Sequence, residues 1–262
     1  MPLNHLLAVL WEMGGYITNA ELTTTLEQAL LGSEGKKLEL YPEVSAVVLS
    51  ATENLVPAKA DKPSKPEKGS ELRDVAALER ALSAITSLDE LARSIESHHV
   101  KELARGGLSA QDTQRLAPLM PSAEITPTAL LALGKLSGIL AKNSGWWMAT
   151  EKLDDWLHLP LAERWLAVTT AWSEHLGTHL QKILSTESNW GPELHAWLEV
   201  HYPLGHDWLD GDLKERLSEA ELLGLSHAGT VTAVGREVLA GNWKGVTAAI
   251  TAVVPPFAEH VF

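Results

Sequence analysis

At 262 residues the chain is long for one domain, so two or three domains are expected. It has no cysteine, which excludes disulfides, thiolate catalysis and Cys-based zinc sites. A net charge of −13 opposes long-range attraction to phosphates, so any nucleic-acid contact must be local.

Residues 3–11 form a helical pattern that stops at Gly14-Gly15, and Thr18 or Asn19 caps a second one. Leu30 to Leu40 reads as a hairpin, with alternation at Leu38 and Leu40, and Pro42 starts a further helix. Residues 1–55 thus make a winged-helix-like N-terminal unit. A Pro/Lys-rich linker follows at 56–70, with three prolines, four lysines and too few apolar side chains for a core.

From Leu72 to Ile95, apolar residues at Val75, Leu78, Leu82, Ile85, Leu88 and Leu91 share one helical face, with a break expected near Ser87. Ser109 opens a helix in a capping-box pattern with Asp112 in place of Glu. Thr126 and Pro127 start the helix that carries Leu130, Leu131, Leu133 and Leu136. Its place before a hairpin is that of a recognition helix, yet its Leu/Ala surface suits burial. The chain then turns at Gly138, runs to Asn143-Ser144-Gly145, returns through Trp146-Trp147-Met148 and enters a helix with Leu153 and Trp156.

Beyond Pro160, Leu161, Trp165, Val168 and Trp172 lie on one helical face, and Pro192 opens a helix with Leu194 and Trp197. Leu222 to Leu225 leads into a second hairpin, turning at Ser226-His227-Ala228-Gly229 and returning through Thr230 to Val234. Helices follow at Gly235-Arg236-Glu237 and from Trp243 to Val253. Strand, Gly turn, returning strand and helix therefore occur twice, as at the back of a winged helix. The expected fold class is mainly α with short β-hairpins, built as tandem winged-helix-like domains at 71–160 and 161–254. Residues 255–262 read as the start of a truncated further domain.

Motifs for chemistry fail on spacing. Gly32 to Lys37 lacks the spacing of a phosphate loop and the Ser or Thr after its Lys, so no nucleotide motor is expected. In Gly224-Leu225-Ser226-His227-Ala228-Gly229 the second glycine falls one residue late for a nucleophile elbow. His175 and His179 are four apart without the HExxH arrangement, and His195, His201 and His206 have no defined relation to them. A non-enzymatic role with no metal and no cofactor is expected. Trp165, Trp172 and Trp197 fall on core faces; Trp147, beside a wing, is the one tryptophan retained as a stacking platform. The cations best placed for phosphates are Lys135 and Lys142 around the first hairpin, and Lys214, Arg216 and Arg236 around the second.

Leu159-Pro160-Leu161-Ala162-Glu163-Arg164-Trp165 with Trp172, Glu219 to Leu225, Gly235-Arg236, and Pro255 to Val261 carry a family resemblance. Through them the chain resembles the bacterial helicase-associated domain proteins, whose longer chains include a region similar to the N-terminal part of xeroderma pigmentosum B (XPB) type helicases. The resemblance covers 71–262 and, more loosely, the part before it. It implies a DNA-binding accessory in repair or strand opening that works beside a helicase, with the chain continuing into another domain after His260. The alternative is a scaffold whose winged helices dock a helicase or other protein without touching DNA. That predicts an exposed apolar patch with scattered cations, whereas DNA binding predicts cations gathered on one face. No run of about 18 apolar residues exists for a membrane span, and Met1 to Leu10 lacks the basic start of a signal peptide; the cytoplasm is the expected location.

Overall fold

In the computed structural model the described residues are 32–34, 38–40 and 71–254, without 104–105, 123–124, 187–188, 193 and 197–205. The chain divides into two compact units, residues 1–63 with 192–211, and residues 64–191 with 212–262. In the first, β1 (Gly32–Glu34) and β2 (Leu38–Leu40) pair antiparallel, with Glu34 opposite Leu38, as the 30–40 hairpin reading expects. The helices expected at 3–11, 18–22 and 41–44, Trp197 and residues 255–262 lie outside the described residues.

The second unit is built around α1 (Glu71–Ser97), 27 residues or about 40 Å of helix. Ala77, Ala81, Ala84 and Ala92 are buried beside Ile85, Leu88, Leu91 and Ile95, so small side chains let neighbouring elements approach closely. The expected break at Ser87 is absent. Ser87 is buried within a continuous helix, because tertiary packing overrides the modest helical penalty of a serine. Two further helices, α2 (Ala110–Leu116) and α3 (Pro127–Ser137), follow β3 (Val100–Lys101). Ser109 caps α2 by accepting from the Asp112 amide at 3.0 Å while its hydroxyl donates to the Asp112 carboxylate at 2.8 Å. Thr126 accepts from the Ala129 amide, and α3 stops at Gly138, whose φ of 78° a residue with a Cβ adopts only at a cost.

The chain then forms β4 (Leu140–Asn143) and β5 (Trp146–Ala149). With β3 they make a three-stranded antiparallel sheet in the order β3-β5-β4. A two-residue loop joins β4 to β5, and Ser144 and Gly145 have φ of 50° and 82°, the left-handed pair that matches strand twist in tight hairpins. Short α4 (Lys152–His158) leads through Pro160 into α5 (Leu161–His175) and α6 (Gly177–Thr186). Helix α3 packs against both α1 and α5.

After α7 (His206–Leu222) come β6 (Ser226–His227) and β7 (Thr230–Val231). Their loop, Ala228-Gly229, repeats the left-handed pair at 48° and 73°. Asn189 bridges Thr230 on the far side of β7, so the order Asn189-β7-β6 repeats that of β3-β5-β4. The return strand ends earlier than its β-branched run suggests. Thr232 leaves the strand to cap α8 (Ala233–Leu239): its hydroxyl donates to the Gly224 carbonyl at 2.8 Å and accepts from the Gly235 amide at 3.1 Å. Asn242 caps the last helix, α9 (Trp243–Val253), through the Gly245 amide. The protein is mainly helical with short antiparallel strand pairs, and the segments 71–160 and 161–191 with 212–254 share one core in which α1 meets α5, α9 and β6.

Buried indoles hold that core in register. Trp165 donates to the Leu223 carbonyl at 3.0 Å, Trp172 to Arg216 O at 3.0 Å and Trp190 to Leu184 O at 3.2 Å. Each ring buries a large apolar area while its N–H finds an acceptor, which is why tryptophan serves here where phenylalanine would leave a carbonyl unpaired.

Candidate nucleic-acid interface

Strand alternation sorts the first hairpin into two faces. Register places Leu140 opposite Ala149, Lys142 opposite Trp147, and Trp147 opposite Val100; Leu140, Val100 and Trp147 are buried. Trp147 is therefore core, 7% exposed, with its indole donating to Glu102 Oε2 at 3.1 Å. This overturns its reading as a stacking platform. The adjacent ring, Trp146, points the other way and is 42% exposed.

On that outer face Trp146 stands opposite Asn143 on β4 and Lys101 on β3. The exposed Lys101 ammonium lies 5.5 Å from the Trp146 ring centroid, a cation–π pair. The Glu102 amide donates to the Gly145 carbonyl at 2.8 Å, tying the turn that carries Trp146 back to β3. Leu103, just beyond, is 45% exposed. Sequence reasoning missed Lys101 and Trp146. Two adjacent tryptophans in a strand must face opposite ways, but which one faces out depends on cross-strand register.

Lys142 lies within β4, opposite Trp147, and Lys135 on the helix that precedes the hairpin. Lys142 Nζ is 2.8 Å from Glu102 Oε1, and Lys135 is exposed in the last turn of α3, close enough to act on Glu102 electrostatically. The hydrogen bond and charge of Lys142, with smaller contributions from Trp147 and Lys135, hold the Glu102 carboxyl below its usual range. These two candidates are brought together around one carboxylate. Helix α3 itself exposes Thr128 and Lys135 but buries Leu130, Leu131, Leu133 and Gly134 between its neighbours. Its remaining residues, Pro127, Ala129, Ala132, Leu136 and Ser137, are half-buried, so Lys135 is the one charged group that α3 offers for reading bases from a groove.

The second set is dispersed. Lys214 is exposed on α7, and Arg216, two residues on, points to another face of the same helix. Arg216 is mostly buried, with Nη1 2.5 Å from Glu219 Oε2. Glu219 is 4% exposed, and burial raises its pKa to about 7 against the opposing pull of Arg216. Arg236 donates to the Val231 carbonyl at 3.1 Å and so braces the strand-to-helix turn. Arg216 and Arg236 are structural cations, whatever else they contact. His175 Nδ1 sits 2.7 Å from the Ala171 carbonyl, while the side chains of His179, His201 and His206 are outside the described residues.

Charge is unevenly spread. Residues 71–160 contain nine Lys/Arg against 12 Asp/Glu, so most of the overall −13 lies elsewhere. No helix among the described residues is long and apolar enough to cross a membrane. Comparison with protein-family models, with curated proteins and with solved structures finds no match.

Proposed function

We propose that this chain is a non-catalytic, winged-helix accessory region of a helicase-associated protein, and that it contacts DNA through the β4-β5 wing during repair or strand opening. Helix, strand, two helices and a hairpin whose returning strand takes the central place is the order of a winged helix. The order β3-β5-β4, repeated by Asn189-β7-β6, supports that assignment for both halves. The observation that carries the DNA contact is the exposed Lys101–Trp146 pair on the outer face of the wing. The wing leads because α3 is packed against both α1 and α5. A helicase is the partner this reading implies, the cytoplasm its compartment, and no cofactor or metal enters it.

A second reading, a scaffold that docks a helicase or other protein, is favoured by a different observation. Lys142, Arg216 and Arg236 are engaged within the fold, and Leu103 and Trp146 are large apolar groups left open. Fluorescence anisotropy of the full chain with labelled duplex, forked and single-stranded DNA across a salt series separates the two. The DNA reading expects binding at low salt that weakens as salt rises, because phosphate neutralisation releases counterions. Absence of binding to every form at low salt overturns it and leaves the scaffold.

A further inference from the structure

We infer that Trp146 and Lys101 form a stacking site for an unpaired base, so that the wing engages single-stranded rather than duplex nucleic acid. The inference rests on the DNA-contact reading above. Three features of the wing carry it.

First, the ring is held out, not merely loose. Trp147 beneath the sheet is anchored to Glu102, the Glu102 amide ties the Gly145 carbonyl, and the left-handed Ser144-Gly145 pair closes the hairpin in two residues. A rigid aromatic platform loses little conformational freedom on binding, which favours stacking. Second, the platform carries its own cation. A base laid on the indole takes the place of the Lys101 ammonium, now 5.5 Å from the ring centroid, and frees it for the adjoining phosphate. Aromatic ring plus nearby cation is what a nucleotide of any sequence needs, because every base has a π face. Third, the elements that would read a duplex are committed elsewhere. Helix α3 presents only one charged side chain, Lys135, among small and apolar ones, and Lys142 is paired with Glu102. A base inside a duplex cannot offer its face to Trp146 unless it is unstacked.

The test uses the full chain, a fluorescein-labelled 15-nucleotide oligo-dT and a 15-base-pair duplex at low salt, read by anisotropy and by quenching of tryptophan fluorescence. Wild type is expected to prefer the single strand. Trp146→Ala is expected to weaken oligo-dT binding on the order of 10-fold, with Trp146→Phe restoring most of it. Lys101→Gln is expected to weaken binding and flatten its salt dependence by about one phosphate contact. Melting curves matching wild type show that the variants are folded, as expected for side chains that point away from the core. If the duplex binds and the single strand has no advantage, or Trp146→Ala binds oligo-dT like wild type, the stacking site is overturned while the DNA-contact reading stands. If neither nucleic acid binds at low salt, both fall.

Discussion

Arg164→Met removes one side of a buried polar joint and should be among the most damaging single changes in the second unit. Arg164 lies in the first turn of α5. Its Nη1 is 2.5 Å from Asp89 Oδ2 in α1, its Nε donates to Leu159 O at 2.8 Å and its Nη2 to Leu157 O at 2.7 Å. Trp156 donates to the other Asp89 oxygen at 2.6 Å. One guanidinium thus fastens the α4-to-α5 turn onto the central helix. The Asp89 side chain is 7% exposed, and burial already raises its pKa despite Trp156 and Arg164. Met keeps the apolar stem but leaves a buried carboxylate without its paired cation, only the weaker pull of Arg93 remaining, and two carbonyls without these donors. Breaking such a pair from one side costs about 3–5 kcal/mol. The Trp156 bond and proton uptake by Asp89 limit the loss, so roughly 3 kcal/mol is expected at pH 7. For a unit of this size that lowers Tm by about 6–12 °C. With the cation gone, the folded pKa of Asp89 rises further above its unfolded value. A group with a raised folded pKa stabilises most below the unfolded pKa and loses that contribution as pH rises through the folded one. The deficit of Arg164→Met should therefore shrink between pH 7 and pH 5. Urea unfolding at both pH values, with Asp89→Asn added to Arg164→Met, measures this. The neutral amide still accepts from Trp156, so the double variant should regain about half the loss. A cost under about 1 kcal/mol for Arg164→Met, or a double variant no better than the single, refutes the reasoning.

Three other changes test separate parts of the fold. A Cβ at Gly235 would meet the Leu225 carbonyl oxygen at a distance no real contact allows, so Gly235→Ala should cost more than about 2 kcal/mol in urea unfolding. Ala228 holds φ of 48° at an exposed turn, and Ala228→Asn should raise Tm through about 0.5–1 kcal/mol of relieved strain. The Glu219 carboxyl, raised from 4.5 to about 7 chiefly by burial and further by Glu215, binds its proton more tightly folded than unfolded. Arg216 and His175 pull the other way. Its stabilising contribution, roughly 3 kcal/mol at most, is present below pH 4.5 and lost as pH rises through about 7; Glu219→Gln should flatten that slope between pH 5 and 8 in thermal melts.

Periodicity and capping chemistry made much of the second unit legible. The apolar steps of α1 from Leu78 onward, the Ser109 and Thr126 caps, and the Gly-bearing turns at 144–145 and 228–229 are local signals that the structure follows, whereas Leu72 and Val75, at the start of the same helix, are exposed. What failed was decided at longer range. Ser87 is helical because neighbouring elements bury it, and Thr232 is a cap and not a strand residue because its hydroxyl meets the Gly224 carbonyl. A hairpin could be read around Trp146-Trp147, but not which ring faces out, since register against β3 makes that choice. The cations share that limit only in part. Lys142 looks like a phosphate ligand in sequence, and Glu102 becomes its neighbour only through strand pairing; the engagement of Arg216 by Glu219, three residues on in the same helix, is a local signal that the reading of Arg216 as a phosphate ligand passes over.

The most direct measurement of the central claim is photocrosslinking of the full chain to an oligo-dT containing 5-iodouracil, with the adduct located by peptide mass spectrometry. Iodouracil crosslinks preferentially to a stacked aromatic ring. The wing account predicts an adduct on the peptide containing Trp146, lost in Trp146→Ala. Adducts confined to α3 or to the second hairpin, or none where anisotropy shows binding, would contradict it.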